Sequence, residues 1–374
     1  MSKLMGAARL GVAAAAVVAA LGSATAASAQ PRSVRPDTLP ATVPVAQVVL
    51  SNGDTDVFYV GSNGQVDVWS YAGGWTTRQL GTGETVKAKT GIAAVQQSNG
   101  NISVYYVGSS NGQIYNWLFT TALGWQNAAI GDGEKAAAGA GVTQVQNPNG
   151  TQNVYYVGAN DQLFNWYFNG HWSNGQLGDG EAAKPTSGIT SVYQPANGDE
   201  QVFYVGANGQ IWNWLFSTTE GWLNGAVGNG EAAANGSQLT DVYQSSDGDQ
   251  NVFYVGANNQ IWNWGFTEEW NNEQISHGDP AIAGSGISSV LLDSSQGTEQ
   301  VFYTGKTGQA QSSLFNGITW GKGVIGTGAA AKAGSALSAS IFSSGQENIY
   351  YLGANSTVYD WEGSPGSWFN YQLP

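Results

Sequence analysis

Gly188-Ile-Thr-Ser-Val-Tyr-Gln194, Gln201-Val-Phe-Tyr-Val-Gly206, Gln210-Ile-Trp-Asn-Trp-Leu-Phe216 and Trp222-Leu-Asn-Gly-Ala-Val-Gly228 follow one another in one stretch of the chain. Each is a strand-length run rich in β-branched and aromatic residues, and Asn-Gly, Gly-Asp and Glu-Gly turn signals separate them. Four such runs predict one four-stranded antiparallel sheet. The unit recurs, marked by the second residue of an aromatic pair at Tyr59, Tyr106, Tyr156, Tyr204, Tyr254, Tyr303 and Tyr351, at spacings of 47 to 50 residues, with a glycine two residues beyond each. A period of this length belongs to propellers and linear arrays. Seven sheets with large apolar residues on both faces can bury those faces only against one another, and radial stacking does so without the polar end caps of a linear array. The expected fold is all-β, a seven-bladed β-propeller of four-stranded antiparallel blades over residues 43–374, with blades at about 43–82, 91–131, 141–178, 188–228, 238–276, 286–326 and 335–374. Links between repeats, such as Thr82 to Thr90, are longer than the hairpins within them. Such a link must return from rim to axis, so the first strand of each unit is expected innermost, and no strand is left over to close the ring by exchange.

Composition narrows the function classes. Aromatics make up 12% of the 374 residues and charged residues only 10%, which opposes disorder, while 53 glycines oppose a helical fold. Lys3 and Arg9, the uncharged stretch Val12 to Leu21 and the small residues Ala27-Ser28-Ala29 form a three-part secretory signal over residues 1–29. A Pro-rich leader over 30–42 follows, and the expected localisation is secreted and extracellular. The signal carries two cations and no anion, so a net charge of −14 becomes −16 without it. Such an acidic chain is repelled by phosphate backbones, and no nucleic-acid partner is expected. No apolar run approaches the ~20 residues of a transmembrane segment. The absence of cysteine removes disulfides, thiolate metal sites and lipid anchoring through cysteine.

Two tryptophan series run through the repeats. Trp69, Trp117, Trp166, Trp214, Trp264 and Trp361 lie in third strands, where Ser313 replaces the ring in the sixth copy. Their alternation with other apolar residues reads as packing. Trp75, Trp125, Trp172, Trp222, Trp270, Trp320 and Trp368 open the fourth strands beside a loop. These read either as packing or as platforms for the apolar face of a pyranose. Asn116, Asn165, Asn213 and Asn263 precede third-strand tryptophans, and Asn127, Asn174, Asn224 and Asn271 follow the second series. An amide inside a sandwiched strand must find partners, since leaving it unpaired costs on the order of 1–3 kcal/mol. Loop backbone and ligand hydroxyls are the two candidates. Gly-x-Gly-Glu recurs in the links, ending at Glu84, Glu134, Glu181 and Glu231, with His277-Gly278-Asp279 in the fifth copy. These acids are either solvated turn formers or polar and cation contacts.

Catalytic patterns fail on context. Gly108-Ser-Ser-Asn-Gly112 and Gly321-Lys-Gly-Val-Ile-Gly326 satisfy a nucleophile-elbow and a dinucleotide pattern, but neither leads from a strand into a helix. His171 and His277, the two histidines, fall in non-adjacent copies, which opposes a Ser-His-Asp or histidine metal site. No metal, cofactor or catalytic residue is expected. Paired carboxylates for glycoside hydrolysis stay open, though an active site is singular and these acids repeat.

The unit Val-Phe-Tyr-x-Gly-x-Asn-x-Gln-Ile-x-Asn-Trp, followed by Gly-Trp and a closing Leu-Gly or Val-Gly, resembles the tectonin-type β-propeller lectins over about Val43 to Pro374. The resemblance implies a secreted seven-bladed propeller that binds fucosylated or O-methylated glycans in shallow pockets between blades. The His or Lys that typically flanks the third-strand tryptophan in that family is absent. A second resemblance, through Val-Tyr and Gly-Trp, is to the six-bladed fucose lectins, which hold sugar with an arginine before the aromatic pair and a third-strand glutamate. Val202 and Asn213 stand at those positions here. The reading is a non-enzymatic, multivalent glycan-binding protein whose sites use Trp75, Trp125, Trp172, Trp222 and Trp270 with Asn116, Asn165, Asn213 and Asn263. The sixth copy, with Ser312-Ser313 and Ala329, is expected to lack a site. A protein-interaction or structural propeller of the cell surface, and a polysaccharide hydrolase or lyase, are the alternatives.

Overall fold

A computed structural model describes residues 44–374 apart from 185, 277, 283, 324, 333 and 365. The proposed signal and leader, and His277 of the fifth link, lie outside the described residues. The chain forms seven four-stranded antiparallel sheets spanning 45–79, 92–129, 142–176, 189–226, 239–274, 287–323 and 337–372, each built from four consecutive strands in the order 1-2-3-4. These are blades 1 to 7 of a β-propeller.

Blade 4 shows how the sequence builds each one. Its strands are Ile189–Gln194, Asp199–Val205, Ile211–Ser217 and Gly221–Ala226. Side chains alternate across a strand, so the register divides them between two faces. Gln201, Phe203, Asn213 and Leu215 point forward, toward blade 5, while Glu200, Val202, Tyr204, Trp214, Phe216 and Trp222 point back toward blade 3. Because both faces are interfaces, second strands such as Val57 to Val60 and Val202 to Val205 are buried throughout, whereas fourth strands are largely exposed. First strands neighbour one another around the axis, linked by Thr143–Ser191 and Thr240–Ser289 hydroxyl contacts of 2.8 Å. The ring closes where Trp75 of blade 1 packs edge-on against Tyr350 of blade 7 at 5.9 Å.

Blades are latched by the links. Trp214 lays its indole over the link from blade 3, and a Cβ added to Gly178 or Gly180 would fall 2.6 or 2.5 Å from the ring. Asn224 accepts from the backbone N–H of Glu181 at 3.0 Å, and the Tyr204 hydroxyl donates to the Glu181 carbonyl at 3.0 Å. The same latch joins Glu84 to Asn127 and Tyr106, Glu134 to Asn174 and Tyr156, and Glu231 to Asn272 and Tyr254. The glycine motif is thus a seat for the next blade's tryptophan. Blade 6 has Ser313 in place of that ring, and the link feeding it has Ser276 where the others have their first glycine, its hydroxyl donating to Gln260 at 2.7 Å.

Candidate functional site

Loops joining first to second and third to fourth strands lie at one end of the blades, here called the upper rim; second-to-third hairpins and links lie at the lower rim. Between blades 3 and 4 the upper rim opens into a cleft of about 720 Å³. Blade 3 supplies its forward face, Asn147, Asn153, Asn165 and Tyr167, and blade 4 supplies Tyr193, Glu200, Phe216 and Trp222. Trp222 stands at the mouth, partly buried, edge-on to Tyr155 at 5.8 Å and tilted against Phe216 at 5.2 Å. Below it lies a hydrogen-bonded polar floor, in which Asn147 Oδ1 is buried with no partner among the described residues. Asn165 donates to Asn153 Oδ1 at 2.9 Å, Asn153 donates to both Glu200 oxygens at 3.0 and 2.9 Å, Asn147 adds 2.9 Å, and the Tyr155 hydroxyl donates to Glu200 Oε2. Burial, then the Glu200 charge, push the Tyr155 phenol well above its ordinary range, so it remains a donor.

The sevenfold repeat reproduces this plan with substitutions. Trp125, Trp172, Trp270, Trp320, Trp368 and Trp75 stand edge-on to Phe58, Tyr105, Phe203, Phe253, Phe302 and Tyr350 of the preceding blade. Floor pairs are Ser103–Asn116 at 3.3 Å, Gln201–Asn213 at 3.1 Å, Asn251–Asn263 at 2.7 Å, Gln300–Ser312 at 3.0 Å and Asn348–Asp360 at 2.8 Å. The position of Glu200 is held by Gln152, Gln250, Glu299 and Glu347 in blades 3, 5, 6 and 7.

Placement of the expected site residues is therefore mixed. The structure brings Trp222 together with Asn165 across a blade interface; within one blade, Trp222 and Asn213 point in opposite directions. Asn116, Asn165, Asn213 and Asn263 are bonded within their own blades, and Asn263 is buried. Asn272, not Asn271, is equivalent to Asn127, Asn174 and Asn224; Asn271 is exposed and donates to the Glu269 carbonyl. Glu84, Glu134, Glu181 and Glu231 sit at the lower rim, with the length of a blade between them and the second tryptophan series. Desolvation raises the Glu84 carboxyl, but the Ser110 N–H and the Ser109 hydroxyl that it accepts outweigh this and hold it below its ordinary value. Val202 is buried on the backward face against Trp214, so it is Gln201, one residue earlier, that meets Asn213 on the forward side. Ser313 is buried on the backward face, so in the sixth copy it removes a latch rather than a cleft wall; Ser312 remains a floor residue. The expectation missed Asn153, Tyr167 and Glu200. Period-two alternation back from the aromatic pair would have put Asn153 on the face of Tyr155.

Residues 43–335 match a family model described as fungal fucose-specific lectin. No curated protein matches the chain. Among solved structures, the fold is similar to the BP39L lectin of Burkholderia pseudomallei, with a TM-score of 0.77 at 17% identity over 89% of this chain and 99% of that one. It is also similar to the six-bladed Aleuria aurantia lectin, with a TM-score of 0.57 at 15% identity over 91% and 97%. A variant of that lectin in complex with α-methyl-L-fucoside gives 0.56 at 17% identity over 77% and 96%.

Proposed function

The chain belongs to the fungal fucose-specific lectin family, and from that premise we propose that it binds fucosylated glycans in its upper-rim clefts, with the cleft between blades 3 and 4 as the principal site. It is a carbohydrate-binding protein of β-propeller architecture. One observation carries the assignment of the site: a partly buried indole at a cleft mouth stands over a floor of amides and a carboxylate. An apolar pyranose face suits the indole, and Asn165, Asn153 and Glu200 offer acceptors and donors to hydroxyls. Amides here stand in for an arginine and glutamate grip. The hydrogen bonds that hold the Glu200 carboxylate favour a binder over a hydrolase, and the tripartite N-terminal segment supports export. Several such clefts on one rim would convert weak single contacts into avidity for a glycan-coated surface.

Calorimetric titration with α-methyl-L-fucoside tests this. Trp222→Ala is expected to remove one binding site per chain or weaken it at least about tenfold, equivalent to roughly 1.4 kcal/mol, while Trp222→Phe retains most of it. Unchanged stoichiometry and affinity in Trp222→Ala would move the sugar elsewhere. A second reading, in which the ring only packs, is favoured by its edge-on contact with Tyr155; it predicts that the alanine variant loses stability without losing ligand.

A further inference from the structure

Charge is distributed unequally between the two rims. Lys87, Lys89, Lys135, Lys184 and Lys332 lie in links and Lys306 in a second-to-third hairpin, all at the lower rim. Lys332 donates to Ser356 of a lower-rim hairpin at 2.9 Å, and Lys87 reaches the Ala136 carbonyl of a link at 3.4 Å. Arg78 and Lys322 belong to outer fourth strands. Among the described residues no lysine or arginine lies in the upper-rim loops, where His171 is the one base. The carboxylates there stand without such cations: Asp54, Glu220, Asp247, Asp249, Glu268 and Glu269 lie in or at the ends of those loops, and Glu220, Asp247, Glu268 and Glu269 are exposed, whereas the lower-rim acids such as Glu84, Asp132, Glu134, Glu181 and Glu231 share their rim with the lysines.

These acids border the clefts. Glu220 is two residues beyond Thr218, which lines the cleft between blades 3 and 4, and Glu200 forms the floor of the same cleft. Asp249 and Asp247 act electrostatically on Glu299, the floor residue between blades 5 and 6. A ligand entering from this side meets one sign of charge with no lysine or arginine in the loops to pair an anion. Like charges brought together across an interface are strongly unfavourable, whereas hydroxyls find acceptors.

We propose that the upper-rim clefts select neutral glycans and reject those carrying a carboxylate or sulfate beside the bound sugar. This rests on the reading that the clefts hold fucose, which the test separates from it. The full chain is titrated with a neutral fucosylated trisaccharide and with its sialylated and sulfated counterparts. The two salt concentrations, about 20 mM and about 300 mM, shorten the screening length from roughly 20 Å to below 8 Å. The anionic members are expected to bind at least about fivefold more weakly at low salt, with the gap narrowing at high salt. Neutralising Glu220, Glu268 and Glu269 to glutamine should narrow it too, whereas Asp132→Asn at the lower rim should leave it unchanged. Equal binding of both members at low salt overturns the charge selection alone, as does a gap that responds to neither salt nor neutralisation. Failure of the neutral trisaccharide to bind overturns the fucose reading and this inference with it.

Discussion

Replacing Trp214 by alanine is expected to lower stability by about 3–5 kcal/mol, read as a fall of roughly 5 °C or more in thermal midpoint for a chain of this size. The ring is almost completely buried, and its loss would empty the space above Gly178 and Gly180 that seats blade 4 on the link from blade 3. Contact with glycine backbone supplies a sharper version of the test. Gly180→Ala would place a Cβ 2.5 Å from the indole and 2.6 Å from Asn224 Oδ1, so it should destabilise the wild-type chain, and it should cost less once Trp214 is gone. Equal costs in both backgrounds would show that the two residues do not act through direct contact. The chain contains its own precedent, since blade 6 lacks the ring and the link before it has a serine where the first glycine would be.

Stability is also expected to fall as pH rises from about 4.5 to about 7, and Glu347→Gln should remove its own share of that fall, leaving the shares of Glu299, Asp241 and Asp360, whose carboxyls burial also raises. Glu347 is completely buried, neither of its carboxylate oxygens has a partner among the described residues, and burial pushes its pKa up to about 7. Glu299 is pushed to about 7 by the same desolvation, which amide donors from Gln244 and Asn251 only partly offset. A raised carboxyl pKa means the folded chain holds a proton that the unfolded chain has already released across this window. Stability from the neutral form is therefore complete below the unfolded value and lost as pH climbs through the folded one. For Glu347 the loss is about 2–3 kcal/mol. The repeat explains why this carboxylate is stranded. Glu200 is served by Asn153 and Tyr155, but blade 6 offers Gln300, whose amide is used on Ser312, and Phe302, which has no hydroxyl. Glutamine already fills the equivalent position as Gln152 and Gln250, and the amide introduced by Glu347→Gln would bring donors to an interface where Gln300 Oε1 is also without a partner among the described residues. Denaturation midpoints at pH 4.5 and pH 8 check the sign: a variant no more stable than wild type at pH 8 would mean that Glu347 is solvated or paired there.

The fold was legible because a period near 50 with four alternating runs per unit has few ways to bury both sheet faces. The innermost placement of the first strand followed from link length alone. Packing by the third-strand tryptophans was legible too, since position within a strand is a local property. The cleft was not. Its mouth and the floor carboxylate Glu200 come from one blade and the floor amides from the preceding one, so Trp222 meets Asn165 although Asn213 is nearer in sequence. The Gly-x-Gly-Glu acids were separable from the sites only by counting strand reversals, which send links and tryptophan mouths to opposite rims. A single strand position, Gln201 rather than Val202, decides which side chain reaches the cleft, because adjacent residues point to opposite faces.

By itself, then, the sequence determined seven blades, their order and the residues that fill them, because strand periodicity and turn chemistry are local and each repeat states them again. Only the tertiary structure decided which blade's tryptophan stands over which blade's amides, which carboxylate has lost its donors and which rim carries the cations. Those are relations between neighbouring repeats, set by how one sheet's forward face lies on the next sheet's back, and no residue within a single repeat encodes them.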